Sequence, residues 1–188
     1  MRPFLHERLR RYEELLELSN DAFRAYSALD LGLGDAVLRF LDGASSGYQA
    51  IGAAGGENDM LALKAQFVSA RAGVHPLTFE RVTQRRRETE RAMALHVLVR
   101  GAERLRGDHA EVQRTLAETR DQLLPLLAYL AQKGVLSLAP GRPRTQPELE
   151  HVWRSLLDDP EAGPAARRIA LSLNPADILL MLADLLTG

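Results

Sequence analysis

Apolar positions recur at helical spacing along most of the chain. The clearest run is Leu98, Ala102, Leu105, His109, Val112, Leu116, Thr119, Leu123, Leu126 and Leu130, in alternating steps of four and three. Seven of these ten are large aliphatics, and Glu103, Arg104, Arg106, Glu111, Arg114, Glu118 and Arg120 fall between them. This is the a/d pattern of an amphipathic helix whose seam can face another helix. Unbroken, such a segment would extend about 50 Å at roughly 1.5 Å per residue.

A second seam runs through Leu9, Tyr12, Leu16, Ser19, Phe23, Tyr26, Asp30, Leu33, Val37 and Phe40. It is the natural antiparallel partner for the first. Gly32 and Gly34 weaken it, so the helix bends there or Asp35 caps a new one. From Gly43 to Asp59 five glycines predict a loop, or a poor helix that frays into one; the small residues would also allow close helix approach, so a packed helical end up to Ala54 is the alternative. Asn58 or Asp59 then caps a short helix that Gly73 and Pro76 end.

The longest predicted helix starts at His75 or Thr78 and reaches Lys133. Gly107-Asp108, with Glu111 three residues on, resembles a capping box, and Pro125 removes an amide donor. A long, kinked helix is expected. Gly134 stops it, and the segment 135–147, with Pro140, Gly141, Pro143 and Pro147, reads as a linker. Thr145 and Glu148 predict the next helix start. That helix ends at Asp158-Asp159-Pro160. Gly163-Pro164 opens another, and Asn174-Pro175-Ala176-Asp177 opens a last one that is apolar nearly all round.

Composition sharpens this reading. The chain has 188 residues, 46% hydrophobic but only 5% aromatic. Leu and Ala dominate, and no strand-length β-branched run alternates with period two. The expected fold is all-α: an elongated helical bundle with two long heptad-patterned, coiled-coil-like helices plus a small C-terminal helical unit. The expected division is 1–134 for the long-helix bundle, 135–147 for the linker and 148–188 for a three-helix dimerisation or docking segment. No apolar run reaches the roughly 18 residues a membrane helix needs, and the N-terminus lacks a signal-peptide core. A cytoplasmic protein with no membrane partner is expected. Only two basic residues, Lys64 and Lys133, are lysines, a habit expected of a GC-rich bacterial genome.

Cysteine is absent, which excludes disulfides, thiolate metal sites and thiol nucleophiles. No phosphate-binding glycine motif and no His-Glu-x-x-His motif occurs. Gly43-Ala-Ser45-Ser-Gly47 matches a nucleophile elbow in letters, but such an elbow needs a preceding strand. Glu148-x-x-His151 occurs once where a bundle di-iron site needs the pattern twice. His109 reads as a seam histidine rather than a ligand or a pH switch. The expected protein is therefore not an enzyme and holds no cofactor or metal.

Net charge is -1, but it is unevenly spread: residues 1–63 carry -4, residues 64–120 carry +5 and residues 121–188 carry -2. Arg81, Arg85, Arg86, Arg87 and Arg91, extended by Arg100 and Arg104, form the basic stretch behind this. Interleaved Glu80, Glu88 and Glu90 can neutralise part of it. The expected function is a non-enzymatic interaction, scaffold or regulatory protein acting as a homodimer, with another protein as a further partner. Leu105, Val112, Leu116, Leu123, Leu179, Leu182 and Leu186 are its interaction residues. The alternative is an accessory protein that contacts the phosphate backbone of duplex DNA through those arginines. A third reading is a helical sensor of a small apolar ligand.

Overall fold

A computed structural model describes residues 4–75, 80–81, 86–136 and 144–187. It is all-helical among these residues, with seven helices: α1 (Leu5–Ser27), α2 (Leu33–Ala50), α3 (Ala54–Arg71), α4 (Arg86–Gln132), α5 (Gln146–Asp158), α6 (Gly163–Ser172) and α7 (Pro175–Thr187). The longest helix does not start at His75 or Thr78 as expected: the His75 amide donates to the Glu80 carbonyl at 2.8 Å and Val74 pairs with Arg81 in an isolated antiparallel bridge, so the helix opens only at Arg86. Thr78 itself lies outside the described residues. No helix among those described is long and apolar enough to cross a membrane.

The chain forms two compact units. One comprises Arg8–Ala110, and the other comprises Met1–Glu7 with Glu111–Gly188. In the unit Arg8–Ala110, the seam from Leu9 to Phe40 resolves into two helices, and α1 ends at Ser27, several residues before Gly32. The most buried stripe of α1 is Tyr12, Leu15, Ser19 and Ala22, while Leu16 and Phe23 are only partly buried. The stripe turns toward Leu15 because α2 offers Gly47 there. A Cβ on Gly47 would lie 2.7 Å from the Leu15 side chain.

The glycine-rich stretch is thus not a loop. It is the inner half of α2 and the start of α3, and Gly43-Ala-Ser45-Ser-Gly47 lies mid-helix. Gly56 does the same work as Gly47 for the Tyr48 ring, which fills the space a Cβ would take. Small residues here let backbones approach closely, and that contact gain outweighs their poor helix propensity. Gly34, expected to disrupt, is buried inside α2.

The core of this unit is Val37, Phe40, Leu41, Ala44, Tyr48, Met60, Phe67, Ala94, Val97, Leu98, Ala102 and Leu105, each fully buried. Helix α4 runs through both Gly107 and Pro125 without a break. Asp108 is no cap: its carboxylate accepts from the Tyr48 hydroxyl at 2.7 Å and from Arg104 Nε at 3.0 Å. Pro125 sits on an exposed face, where water can satisfy the carbonyl that its missing amide leaves open.

In the second unit, Leu123, Leu127 and Leu130 of α4 share one core with Leu149, Val152 and Leu156 of α5, Ile169 of α6, and Ile178, Met181, Leu182 and Leu186 of α7. The capping box of α5 forms as the sequence predicts: the Thr145 amide donates to Glu148 Oε2 at 2.7 Å. Asn174 Oδ1 likewise accepts the Ala176 amide at the start of α7. Asp159 joins α4 to the α5–α6 turn. It accepts the amides of Glu161 and Ala162, each at 2.9 Å, and Lys133 Nζ at 2.9 Å. The Ala162 amide first, then Lys133 and the Glu161 amide, hold its carboxyl below the ordinary 3.8, at about 2.

Leu105→Ala should destabilise the protein by roughly 2–5 kcal/mol, whereas Arg114→Ala, on the exposed face, should cost less than about 0.5 kcal/mol. Urea denaturation of both variants checks this, and equal small effects would place the core on another face. A second expectation concerns acid. Because the folded carboxyl of Asp159 has the lower pKa, its contribution is complete above the unfolded value and is lost as pH falls from about 4 toward 2. Asp159→Asn should therefore flatten the stability–pH curve in that window while leaving its shape above pH 5 nearly unchanged.

Candidate functional site

Helix ends generate the most informative geometry. Among the described residues, four helices finish with the same paired hydrogen bonds, in which the residue after the cap bonds three back and the next residue bonds five back. At α2 these are Gly52 to Gln49 and Ala53 to Tyr48, at α3 Gly73 to Ala70 and Val74 to Ser69, and at α4 Gly134 to Ala131 and Val135 to Leu130. Each places glycine in the left-handed region, with φ of +67°, +76° and +72°, as this motif favours. At α1 the same bonds run from Leu29 to Tyr26 and Asp30 to Ala25. There the left-handed residue is Leu29, at φ +59°, the one non-glycine at positive φ among the described residues. A bulky side chain in that conformation costs on the order of 1 kcal/mol or more.

Nothing inside the chain repays this strain by burial. Leu29 is 63% exposed, and Leu31, two residues on, is 99% exposed. Asp30 lies between them and accepts the Gly32 amide at 2.8 Å, which tightens the turn into α2. Beside the turn lies a groove of about 490 Å³ between α1 and α2. It is roomy because its walls are small: Ala22, Ala25, Ala28 and Ala36 leave the Phe40 ring and Leu18 at its base. Asp21, Arg24, Asp30, Asp35 and Arg39 line its edges. Asp21 pairs with Arg24 at 3.0 Å and Asp35 with Arg71 at 3.0 Å. Among the described residues no acid lies within ion-pair distance of Arg39.

A second polar feature is internal. Tyr48, fully buried, donates to Asp108, and Arg104 bridges Asp108 to Asp59 at 3.1 Å. Burial first and Asp108 second push the Tyr48 hydroxyl far above its ordinary pKa of 10, so it stays a neutral donor. A third feature is a cap formed across the sequence. Asp177, fully buried, accepts the Leu5 and His6 amides at 2.8 and 3.0 Å and faces His6 Nδ1 at 2.6 Å. It thereby closes the N-terminus of α1 from the first turn of α7.

No protein-family model, curated protein or solved structure matches this chain.

The residues singled out from sequence are dispersed. Leu105, Val112, Leu123, Leu182 and Leu186 are buried in the chain's own cores, and Leu116 and Leu179 pack partly buried against one of them. Most of these side chains thus pack within the protomer, while Leu116 and Leu179 keep part of their surface exposed. Of the arginines, Arg91 stacks on the Tyr26 ring at 4.7 Å and donates to its carbonyl. Arg100 pairs with Glu103 at 3.3 Å, and Arg104 with Asp59 and Asp108. Arg81 and Arg87 are exposed. Arg85 lies outside the described residues, and only the backbone of Arg86 is described, opening α4. Glu148 caps α5 beside an exposed His151, and His109 Nε2 lies 3.6 Å from Glu13. Among the described residues no group of three or more His, Asp or Glu is placed to hold a metal.

Sequence reasoning missed Leu29 and Asp177. The first had a signal, since the turn Ala28-Leu29-Asp30 ends a helix with no glycine at the position that wants one. Asp177 had none, because its partners lie 171 and 172 residues away. Asp177→Ala should lower stability by about 1–2 kcal/mol through loss of the cap, read by thermal melting, with the loss of helix signal concentrated in α1 by amide hydrogen exchange.

Proposed function

We propose that this protein is a non-enzymatic helical interaction protein that works as a homodimer, joined through the α1–α2 turn and the groove beside it. The single observation that carries the reading is Leu29. Three helix ends use glycine for the left-handed position, and this one uses a strained, exposed leucine with Leu31 beside it. Strain kept without internal compensation is expected where the side chain has a use outside the fold.

A second copy of the chain suits the groove on chemical grounds. The groove is lined by apolar side chains together with both acidic and basic groups, so two copies related by a two-fold axis can present complementary charges to each other. Arg39, without an acid partner among the described residues, would meet an edge carboxylate of its neighbour, and Leu29 and Leu31 would enter the neighbour's groove. Heptad spacing from Leu98 to Leu130 supports coiled-coil-like packing of α4 within the protomer. The DNA reading draws less support, because Arg91, Arg100 and Arg104 are engaged by partners in their own chain.

Light scattering should give twice the chain mass of 20.8 kDa. Leu31→Arg should shift it toward the monomer with little change in melting, since a fully exposed side chain contributes nothing to the protomer's core. Leu29→Gly should do two opposite things: weaken association, and stabilise the dilute monomer by about 1 kcal/mol through relief of strain. A monomer mass persisting at roughly 100 µM chain would overturn the homodimer. Unchanged association in both variants would place the interface elsewhere.

A further inference from the structure

The unit built from Met1–Glu7 and Glu111–Gly188 contains a cleft that the homodimer reading does not use. It measures about 300 Å³, at the lower end of the range for small-molecule sites. Three elements meet there: His6 in the first turn of α1, the stripe Gln113, Leu116, Ala117 and Arg120 on α4, and Met181 with Asp184 on α7. The α4 residues follow steps of three, one and three and so lie on one face.

The polar groups of this cleft sort by role. Asp177 is fully buried and takes the Nδ1 side of the His6 ring at 2.6 Å. A carboxylate there fixes the ring's orientation and leaves Nε2, an acceptor in the neutral imidazole, as the nitrogen a ligand can reach. Asp184 is a second acceptor, and a charged one. Arg120 and the Gln113 amide are donors, Arg120 with the fork that matches a carboxylate. Arg120 and Asp184 line the same cleft, yet among the described residues neither lies within ion-pair distance of an opposite charge. Leu116 and Met181 supply apolar lining in the same cleft.

We propose that this cleft binds a free α-amino acid with an aliphatic side chain. The ligand's carboxylate meets Arg120 and Gln113, its ammonium meets Asp184 and His6 Nε2, and its side chain lies on Leu116 and Met181. A zwitterion is the class that satisfies both unpaired charges at once. A simple anion would leave Asp184 facing it with like charge, and a simple cation would leave Arg120 so. The buried Asp177, which also caps α1, holds the imidazole in place for this contact.

Titration calorimetry on the full chain with L-leucine as the probe tests the assignment. L-leucine should bind saturably in the millimolar range or tighter. Arg120→Gln and Asp184→Asn each alter an exposed side chain and should leave the melting temperature in place, yet each should weaken L-leucine binding by roughly tenfold or more, the scale of one charge-assisted hydrogen bond. L-leucinamide, which lacks the carboxylate, and 4-methylpentanoate, which lacks the ammonium, should both bind more weakly than L-leucine. Absence of saturable L-leucine binding up to roughly 10 mM overturns the proposal. So does unchanged affinity in either variant, or 4-methylpentanoate binding as tightly as L-leucine. The readout is independent of oligomeric state, so its failure is distinguishable from failure of the homodimer reading.

Discussion

Everything in this fold depends on covering the apolar stripe of α4. A helix of 47 residues has little independent reason to persist in water; helical stability in proteins comes chiefly from tertiary packing of an apolar face. In this chain the stripe from Ala94 to Leu130 is covered from within. Its first half is buried in a core with Phe40, Tyr48, Met60 and Phe67, and its second half joins Leu149, Leu156, Ile178 and Leu182. Once the stripe is covered, the helix can tolerate Gly107 and Pro125, because a local loss on the order of 1–3 kcal/mol is small beside the burial of the apolar side chains from Ala94 to Leu130.

The polar residues drawn inside are those that complete a helix end or a hydrogen bond. Asp177 is buried because the first amides of α1 need an acceptor, and a carboxylate at a helix N-terminus also meets the positive end of the dipole. Tyr48 is buried because Gly56 admits its ring, and its hydroxyl then requires Asp108. Leu29 obeys no such internal logic. Its backbone is held by the hydrogen bonds that close α1, while its side chain is left in water. This contrast makes the α1–α2 turn the part of the surface most in need of a functional account.

Much was legible in the chain itself. The period of apolar residues named the buried face of α4 almost residue by residue, since spacing alone decides which side chains share a face. The start of α5 at Thr145 with Glu148, the start of α7 at Asn174 and the glycine stops at Gly73 and Gly134 were also readable, because caps and left-handed turns depend on residues within one turn of each other. The failures share a cause. Gly43, Gly47 and Gly56 look like loop residues when only propensity is weighed, and they prove to be contact points for Leu15, Leu18 and Tyr48. Asp108 looks like a cap until Tyr48, sixty residues earlier, claims it.

The sequence by itself therefore determined the helical class, the C-terminal stops of α3 and α4, the starts of α5, α6 and α7 and the face that α4 buries, all of them consequences of steric and hydrogen-bonding rules that act within a few residues. Tertiary structure decided which partners cover that face, that Leu182 and Leu186 lie inside the chain's own core, that Asp177 closes a helix begun at Leu5, and that His6, Arg120 and Asp184 line one cleft. A heptad stripe specifies that it must be buried but not by what. The choice among covering helices rests on shape and charge matched between segments far apart in sequence, and such matches exist only once the chain has folded.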